Sequence, residues 1–305
     1  MWLVLALAAA LMTSDGTRAG QVAAPPPAVI ADPPPDAAHP ARMDYVRIPS
    51  HGALMNGVMY VAAGPGPHPT VLLLHGFPGN EQNLDLAQAI RRAGYNVLTL
   101  HYRGAWGSPG VFSFAHAIED SDAAVAFLRD PANQAKFAID EARVFVAGHS
   151  MGGFMAASAF AHDPKLFGLI MISAWDIGAS GSLFRDPNKR LNAANEFSED
   201  AIPLAGTSAE ALMDEAATHA AEWDFAGWAG KIGMRPVLII TSDDGTYGDC
   251  HRLAQNLFAA GDGLTIEVPM AADHPYSDHR IALESEVVSW LQGGMLAPVE
   301  SGMGR

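Results

Sequence analysis

Three residue types able to share an acyl-transfer reaction stand at the ends of three apolar segments: Ser150, the pair Asp243 and Asp244, and His274. A serine hydroxyl is a poor nucleophile at neutral pH, so it needs a base. A histidine base in turn needs a carboxylate to fix its tautomer and stabilise its charged form. Ser150 sits in Gly148-His149-Ser150-Met151-Gly152, directly after the apolar run Val144 to Ala147 and before an apolar stretch from Met151 to His162 that reads as a helix. Glycines two positions either side of the serine allow a strand-to-helix turn tight enough to stand Oγ out at the sheet edge. The helix that follows would point the positive end of its dipole at Ser150 and leave the Met151 N–H free to receive an oxyanion.

Positioning such a set requires strands that end on one edge. Thr70 to Leu74 is continuously apolar, as a strand buried on both faces must be, and it ends at His75-Gly76-Phe77-Pro78-Gly79. A helix over Leu84 to Ala93, stopped by Gly94, leads to a strand over Tyr95 to Tyr102, and a helix over Ala115 to Arg129 precedes the Val144 strand. After the serine come strands at Phe167 to Ser173, Pro236 to Ser242 and Leu264 to Val268, with helices over Asp249 to Ala260 and Asp278 to Leu291. Strand and helix alternate, which predicts an α/β fold with a mostly parallel, doubly wound sheet. Tyr45 to Pro49 and Leu54 to Ala62 read as a hairpin at its edge. Between Trp175 and Arg235 the alternation breaks into two helix-like stretches, Pro187 to Phe197 and Ser208 to Trp223, so residues 175–235 are expected to form an inserted helical cap or lid that supplies a substrate pocket.

A length of 305 residues, 49% hydrophobic, suits one substantial α/β core with this insertion. The net charge of −15 and the lack of any Lys/Arg cluster argue against nucleic-acid binding. The single cysteine, Cys250, excludes an internal disulfide framework and is expected as a buried structural thiol. Residues 1–19 combine a short apolar run with a Thr17-Arg18-Ala19 cleavage site and resemble a secretory signal; no Lys or Arg precedes the run, which leaves a short membrane anchor as the alternative. The chain is expected to be secreted or periplasmic, without stable membrane insertion once the signal is removed. Residues 20–41 are rich in Pro and Ala and are expected to be an extended, disordered linker, and residues 294–305 a flexible tail. The core is then residues 42–174 and 236–293.

From about Thr70 to Gln292 the chain resembles an α/β-hydrolase. It is most similar to the branch holding serine aminopeptidase-like and dipeptidyl-peptidase-like hydrolases and many microbial carboxylesterases. The motifs that carry the resemblance are His75 to Gly79, Tyr102-Arg103-Gly104 with Gly107 and Gly110, Gly148-Ser150-Gly152, the Asp243-Asp244 loop and Asp273-His274. The order serine, acid, histidine is the one this fold imposes.

The resemblance implies a triad of Ser150, Asp244 and His274, with the Phe77 N–H joining Met151 in the oxyanion hole. The acid in such proteins stands fourth in a Gly-x-x-Asp run. Thr241 occupies the glycine position here, which keeps Asp243, and Asp176 after the preceding strand, as alternatives. His274 is preferred to His279, which is expected inside the last helix. His149 is expected to pack beneath the turn and His75 to hold its own loop. Trp175 and Tyr102 are expected to contact substrate.

Asp273, His274, Asp278 and His279 match no common zinc or calcium spacing, so neither a metal nor a cofactor is expected. The expected activity is hydrolysis of a small carboxylic ester. A peptidase acting on short peptides is the alternative, with Glu196, Glu199 and Asp200 able to hold a substrate amine. A catalytically silent binding fold is the third reading.

Overall fold

The computed structural model describes residues 24–261 and 264–293; the expected signal at 1–19 and tail at 294–305 lie outside the described residues. The long apolar segments become the strands of one eight-stranded sheet. Its members are β1 (Arg42–Ser50), β2 (Ala53–Val61), β3 (His68–Leu74), β4 (Asn96–Leu100), β5 (Ile139–His149), β6 (Gly168–Ile172), β7 (Val237–Thr241) and β8 (Thr265–Pro269), in the spatial order β1-β2-β4-β3-β5-β6-β7-β8. β1 and β2 pair antiparallel and β2 meets β4 antiparallel, while every pairing from β4 to β8 is parallel. The hairpin therefore stands at the edge, as its alternating pattern predicts, and the parallel strands run to the same side of the sheet. Val71, Leu72, Leu73 and Leu74 of β3 are all buried, and burial of each such side chain contributes about 1.5–3 kcal/mol.

Helices cover both faces of the sheet. They are α1 (Pro27–Ile30), α2 (Leu84–Arg92), α3 (Phe114–Arg129), α4 (Pro131–Phe137), α5 (Met151–His162), α6 (Ile177–Phe184), α7 (Pro187–Asp200), α8 (Ala209–Thr218), α9 (Ala229–Ile232), α10 (Tyr247–Ala259) and α11 (Arg280–Leu291). Every residue of α5 from Met151 to Phe160 is buried, which is why this helix is apolar on all sides instead of amphipathic. Among the described residues no helix is long and apolar enough to cross a membrane.

Two expectations change. Within the expected linker, residues 27–30 are packed on the core: α1 is a single helical turn whose Val29 packs on Ala89 of α2 and Val288 of α11, and Arg92 donates to the carbonyls of Ala28 (2.5 Å) and Val29 (3.2 Å). Pro27 at the first helical position presets the turn, and Val29 gives it an apolar anchor. The segment between β6 and β7 is helical, and α6 stands ahead of the two helices that its spacing predicts.

This insertion docks on the core through backbone. Ala205 N–H donates to the Gly104 carbonyl at 2.7 Å, and the Phe112 N–H donates to the Ala205 carbonyl at 2.9 Å. The loop after β4 that meets it is anchored by Arg103, which is buried and donates to Asp120 through both its backbone N–H (2.8 Å) and Nε (2.6 Å).

Candidate active site

The turn between β5 and α5 is built by close approach. A Cβ added to Gly148 would lie 2.0 Å from the Gly152 carbonyl oxygen, and one added to Gly152 would lie 2.0 Å from the Leu74 carbonyl oxygen. No side chain fits at either position, so β3, β5 and α5 converge only because both are glycine. Between them Ser150 adopts φ 57°, ψ −123°, a backbone conformation that costs a non-glycine residue on the order of 1–3 kcal/mol and persists only where its surroundings hold it. They do: Ser150 N–H donates to Ile172 (2.9 Å), and its carbonyl accepts from Gly153 (2.9 Å) and Trp175 (3.0 Å).

The loop after β3 passes directly over this serine. A Cβ on Gly76 would lie 3.0 Å from Ser150 Cβ and 3.5 Å from its Oγ, so the backbone entering Phe77 runs beside the hydroxyl. Met151 opens α5, where a first-turn N–H has no carbonyl partner within its own helix. Both expected oxyanion residues are thus brought to Ser150.

The loops after β7 and β8 meet on the same side. His274 Nδ1 lies 2.5 Å from Asp244 Oδ2. The same carboxylate accepts from Ser242 Oγ at 2.7 Å and from the Thr246 N–H and Oγ1 at 2.8 and 2.7 Å. Burial opposes ionisation of Asp244, but the bonds from His274, Ser242 and Thr246 outweigh it and hold the carboxyl well below the usual range. Asp243 is exposed and engages the loop through its backbone N–H, which donates to Ala272. Asp176 is occupied elsewhere: it caps α6 through the Ala179 N–H (2.9 Å) and pairs with Arg252 (3.2 Å). Of the three candidate acids, only Asp244 reaches His274.

His149 and His274 are adjacent, with ring centroids 4.6 Å apart, and His149 Nε2 donates to the His274 carbonyl at 2.8 Å. Burial, reinforced by His274, lowers the His149 pKa to about 4, so its ring stays neutral and serves as a brace between the serine turn and the histidine loop. His75 is likewise pushed down to about 4 by burial, and its Nδ1 bonds to the Gly76 carbonyl at 2.8 Å, holding its own loop. His279 does not lie inside the last helix as expected; it is the residue before α11 and pairs with Asp278.

Trp175 is partly exposed beside the turn, whereas Tyr102 has no exposed surface and its hydroxyl donates to the His75 carbonyl at 3.2 Å. The substrate contact expected of Tyr102 fails for that reason: the ring supports the loop from within the core. Cys250 is buried, as expected, with Sγ 3.4 Å from the Ala174 carbonyl. Glu199 is exposed on α7, and the Glu196 side chain lies outside the described residues. Among the described residues no cluster of three or more His, Cys, Asp or Glu side chains is arranged to hold a metal.

Sequence reasoning singled out Trp175 but missed the other rings that surround Phe77 with it. Phe112, Phe114, Trp175 and Phe197 all lie 5.5–6.1 Å from it, centroid to centroid. Phe197 comes from α7, so the insertion contributes to the wall above the loop after β3. It also missed the hydroxyls of Ser173 and Ser242, for which the only signal was a serine immediately after each of two buried strands.

A family model described as "Serine aminopeptidase, S33" matches residues 65–220, just over half of the chain. No curated protein matches. Among solved structures, the chain is similar to an esterase from Pyrobaculum calidifontis (19% identity, TM-score 0.64, covering 85% of this chain and 88% of that one). It is also similar to a thermostable carboxylesterase cloned from a metagenomic library (20%, 0.62, 85% and 91%) and to the Pyrococcus horikoshii acylaminoacyl peptidase (14%, 0.62, 83% and 41%). With its mostly parallel sheet and these matches, the chain belongs to the serine aminopeptidase S33 family and is an enzyme of the α/β-hydrolase superfamily.

Proposed function

We propose that this protein hydrolyses carboxylic esters through a triad of Ser150, His274 and Asp244 and a covalent acyl-enzyme. The observation that carries the reading is the 2.5 Å contact between His274 Nδ1 and the ionised Asp244 carboxylate, beside a serine held in a positive-φ turn. With Nδ1–H donated to Asp244, Nε2 is the free lone pair that can act as base.

Ser150 Oγ attacks the ester carbonyl carbon while its proton passes to His274 Nε2. The carbonyl π electrons move to oxygen, where the N–H groups of Phe77 and Met151 hold the charge. Collapse of this intermediate breaks the bond to the alkoxide, which takes the proton from His274. Water then attacks the acyl-Ser150 ester, giving its proton to His274, which returns it to Ser150 as the acid leaves. Asp244 remains ionised throughout. No cofactor enters this sequence.

The rings around Phe77 favour an apolar acyl group entering past Trp175, with residues 175–235 acting as a cap. A second reading, cleavage of short peptides, is favoured by the description of the matching family, with Glu199 and Asp200 of α7 as candidates to receive a substrate amine. Labelling by a fluorophosphonate, compared between the native chain and Ser150→Ala, tests the nucleophile. p-Nitrophenyl esters set against aminoacyl p-nitroanilides test the bond. Labelling lost in the variant, with turnover of the esters alone, supports esterase action; preference for the anilides replaces it with the peptidase. Export by the N-terminal segment is part of the same proposal, and the N-terminal residue of protein recovered from the cell exterior checks it.

A further inference from the structure

Behind Asp244 lies a row of buried hydroxyls that the mechanism above does not use. Ser242 Oγ is 2.7 Å from Asp244 Oδ2, Ser173 Oγ is 2.6 Å from Ser242 Oγ, and Tyr276 Oη is 2.7 Å from Ser173 Oγ. Ser173 and Tyr276 have no exposed surface, and Ser242 is nearly as enclosed. The direction of every proton is fixed by the ionised end. A carboxylate only accepts, so Ser242 donates to it; Ser242 must then accept from Ser173, and Ser173 from Tyr276.

The row also closes on itself. Tyr276 is two residues beyond His274 in the same loop, so the path from His274 through Asp244, Ser242, Ser173 and Tyr276 returns by backbone to His274. Two of its members pay in backbone strain: Ser173 has φ 40° and Tyr276 φ 57°, conformations that side chains other than glycine adopt when the surroundings enforce them. Ser173 follows β6, Ser242 follows β7 and Tyr276 follows β8, so the ring ties three strand ends together at the acid.

We infer that Ser242, Ser173 and Tyr276 are positioning residues that orient the Asp244 carboxylate and anchor both ends of the His274 loop. This rests on the reading of Ser150, His274 and Asp244 as the triad. Each donor lost from the row leaves more of the negative charge of Asp244 on the oxygen facing His274. The imidazolium is then better stabilised, and the base must be deprotonated at higher pH. The other groups facing this pair are His149 from β5, which is neutral and unchanged, Asp273 on the histidine loop, and Cys250 of α10; Arg280 of α11 faces His149. None of them is altered by the substitutions below.

The test is the pH profile of kcat/KM for a p-nitrophenyl ester in Ser242→Ala, Tyr276→Phe and Ser242→Thr, with Asp244→Asn as the control. In Ser242→Ala the acidic limb is expected to move up by about half a pH unit, and kcat to fall about three- to tenfold with KM held, the scale of one hydrogen bond to a charged group. Tyr276→Phe, two steps further along the row from the carboxylate, moves the limb in the same direction by less, and Ser242→Thr, which keeps the hydroxyl, restores the native profile. If Asp244→Asn collapses the rate while Ser242→Ala and Tyr276→Phe follow the native profile at every pH, the positioning role is overturned and the triad stands. If Asp244→Asn leaves the rate intact, the triad itself fails and the role of the row falls with it.

Discussion

Glu215, on α8 of the inserted segment, accepts hydrogen bonds from the backbone N–H groups of Phe114 (2.8 Å) and Ala115 (3.0 Å) at the start of core helix α3. A carboxylate at a helix N-terminus satisfies otherwise unpartnered donors and meets the positive end of the helix dipole. Here the cap is provided by a residue a hundred positions away in the chain, so it fastens the insertion to the core as well as ending the helix. Glu215→Ala is expected to cost about 1 kcal/mol of stability, read as a fall in the urea midpoint, and to speed limited proteolysis between residues 175 and 235 ahead of the core.

Removal of any member of the proposed triad should abolish most of the chemistry without unfolding the chain. Ser150→Ala, His274→Ala and Asp244→Asn are each expected to lower kcat by at least about a thousandfold. Circular dichroism checks that the fold survives. Asp243→Asn, in contrast, should stay within about threefold of the native rate, because its side chain is exposed and does not reach His274. Equal losses in Asp243→Asn and Asp244→Asn would contradict the assignment of the acid.

The pH dependence of stability carries carboxylate contributions of opposite sign. Asp244, held below the usual range, contributes stability that is present above the ordinary carboxylate pKa and disappears as pH falls beneath it. Asp176 is pushed up to about 7, chiefly by burial and then by repulsion from Asp224 and Asp249, against the pull of the Ala179 N–H and Arg252. A folded-state pKa above the unfolded value means that the folded chain holds the proton longer, so this residue lowers stability progressively between about pH 4 and 7. Glu284, also pushed up to about 7 by burial and by Asp85, adds to the same slope. Asp176→Asn, which can still cap α6, is expected to flatten part of that decline in urea titrations at pH 5 and pH 7.

Gly148→Ala and Gly152→Ala are each expected to cost at least about 3 kcal/mol or to prevent folding, since a methyl group at either site would overlap a backbone carbonyl. Gly227→Ala provides the comparison, because a Cβ there meets nothing within 4 Å. Soluble yield and thermal midpoint measure the contrast.

The strands were legible in the chain because a parallel strand covered on both faces must be apolar throughout, and Val71 to Leu74 and Leu238 to Ile240 are short, apolar runs of that kind. The serine turn was legible because steric exclusion leaves glycine alone at 148 and 152. The helix α6 was not. Its Gly178 and Gly181 lie where a Cβ would come within 2.2 Å of the Asp224 N and 2.0 Å of the Ala216 carbonyl oxygen, so it packs by backbone proximity, and its buried face, Ile177, Gly178, Gly181 and Phe184, holds only two large apolar side chains for periodicity to detect. α1 was masked by the prolines around it, because what fixes that turn is Arg92 and two helices distant in sequence. The choice between Asp243 and Asp244 was open for a similar reason: neighbouring residues in a loop face opposite ways, and only the hydroxyls of Ser242 and Thr246 decide which one meets His274.

The helical insertion leaves the core after Trp175 and rejoins it before β7, so the strand ends bearing Ser173, Ser242, Asp244 and His274 stay joined by their own hydrogen bonds beneath it. The groups of the proposed triad and the helical insertion thus occupy separable stretches of the chain. An exchange of residues 175–235 has to keep a carboxylate on α3, a backbone segment at Gly104, the bonds of Asp176 and Asp224 to Arg252, and the packing of Trp223 and Trp228 on Phe154.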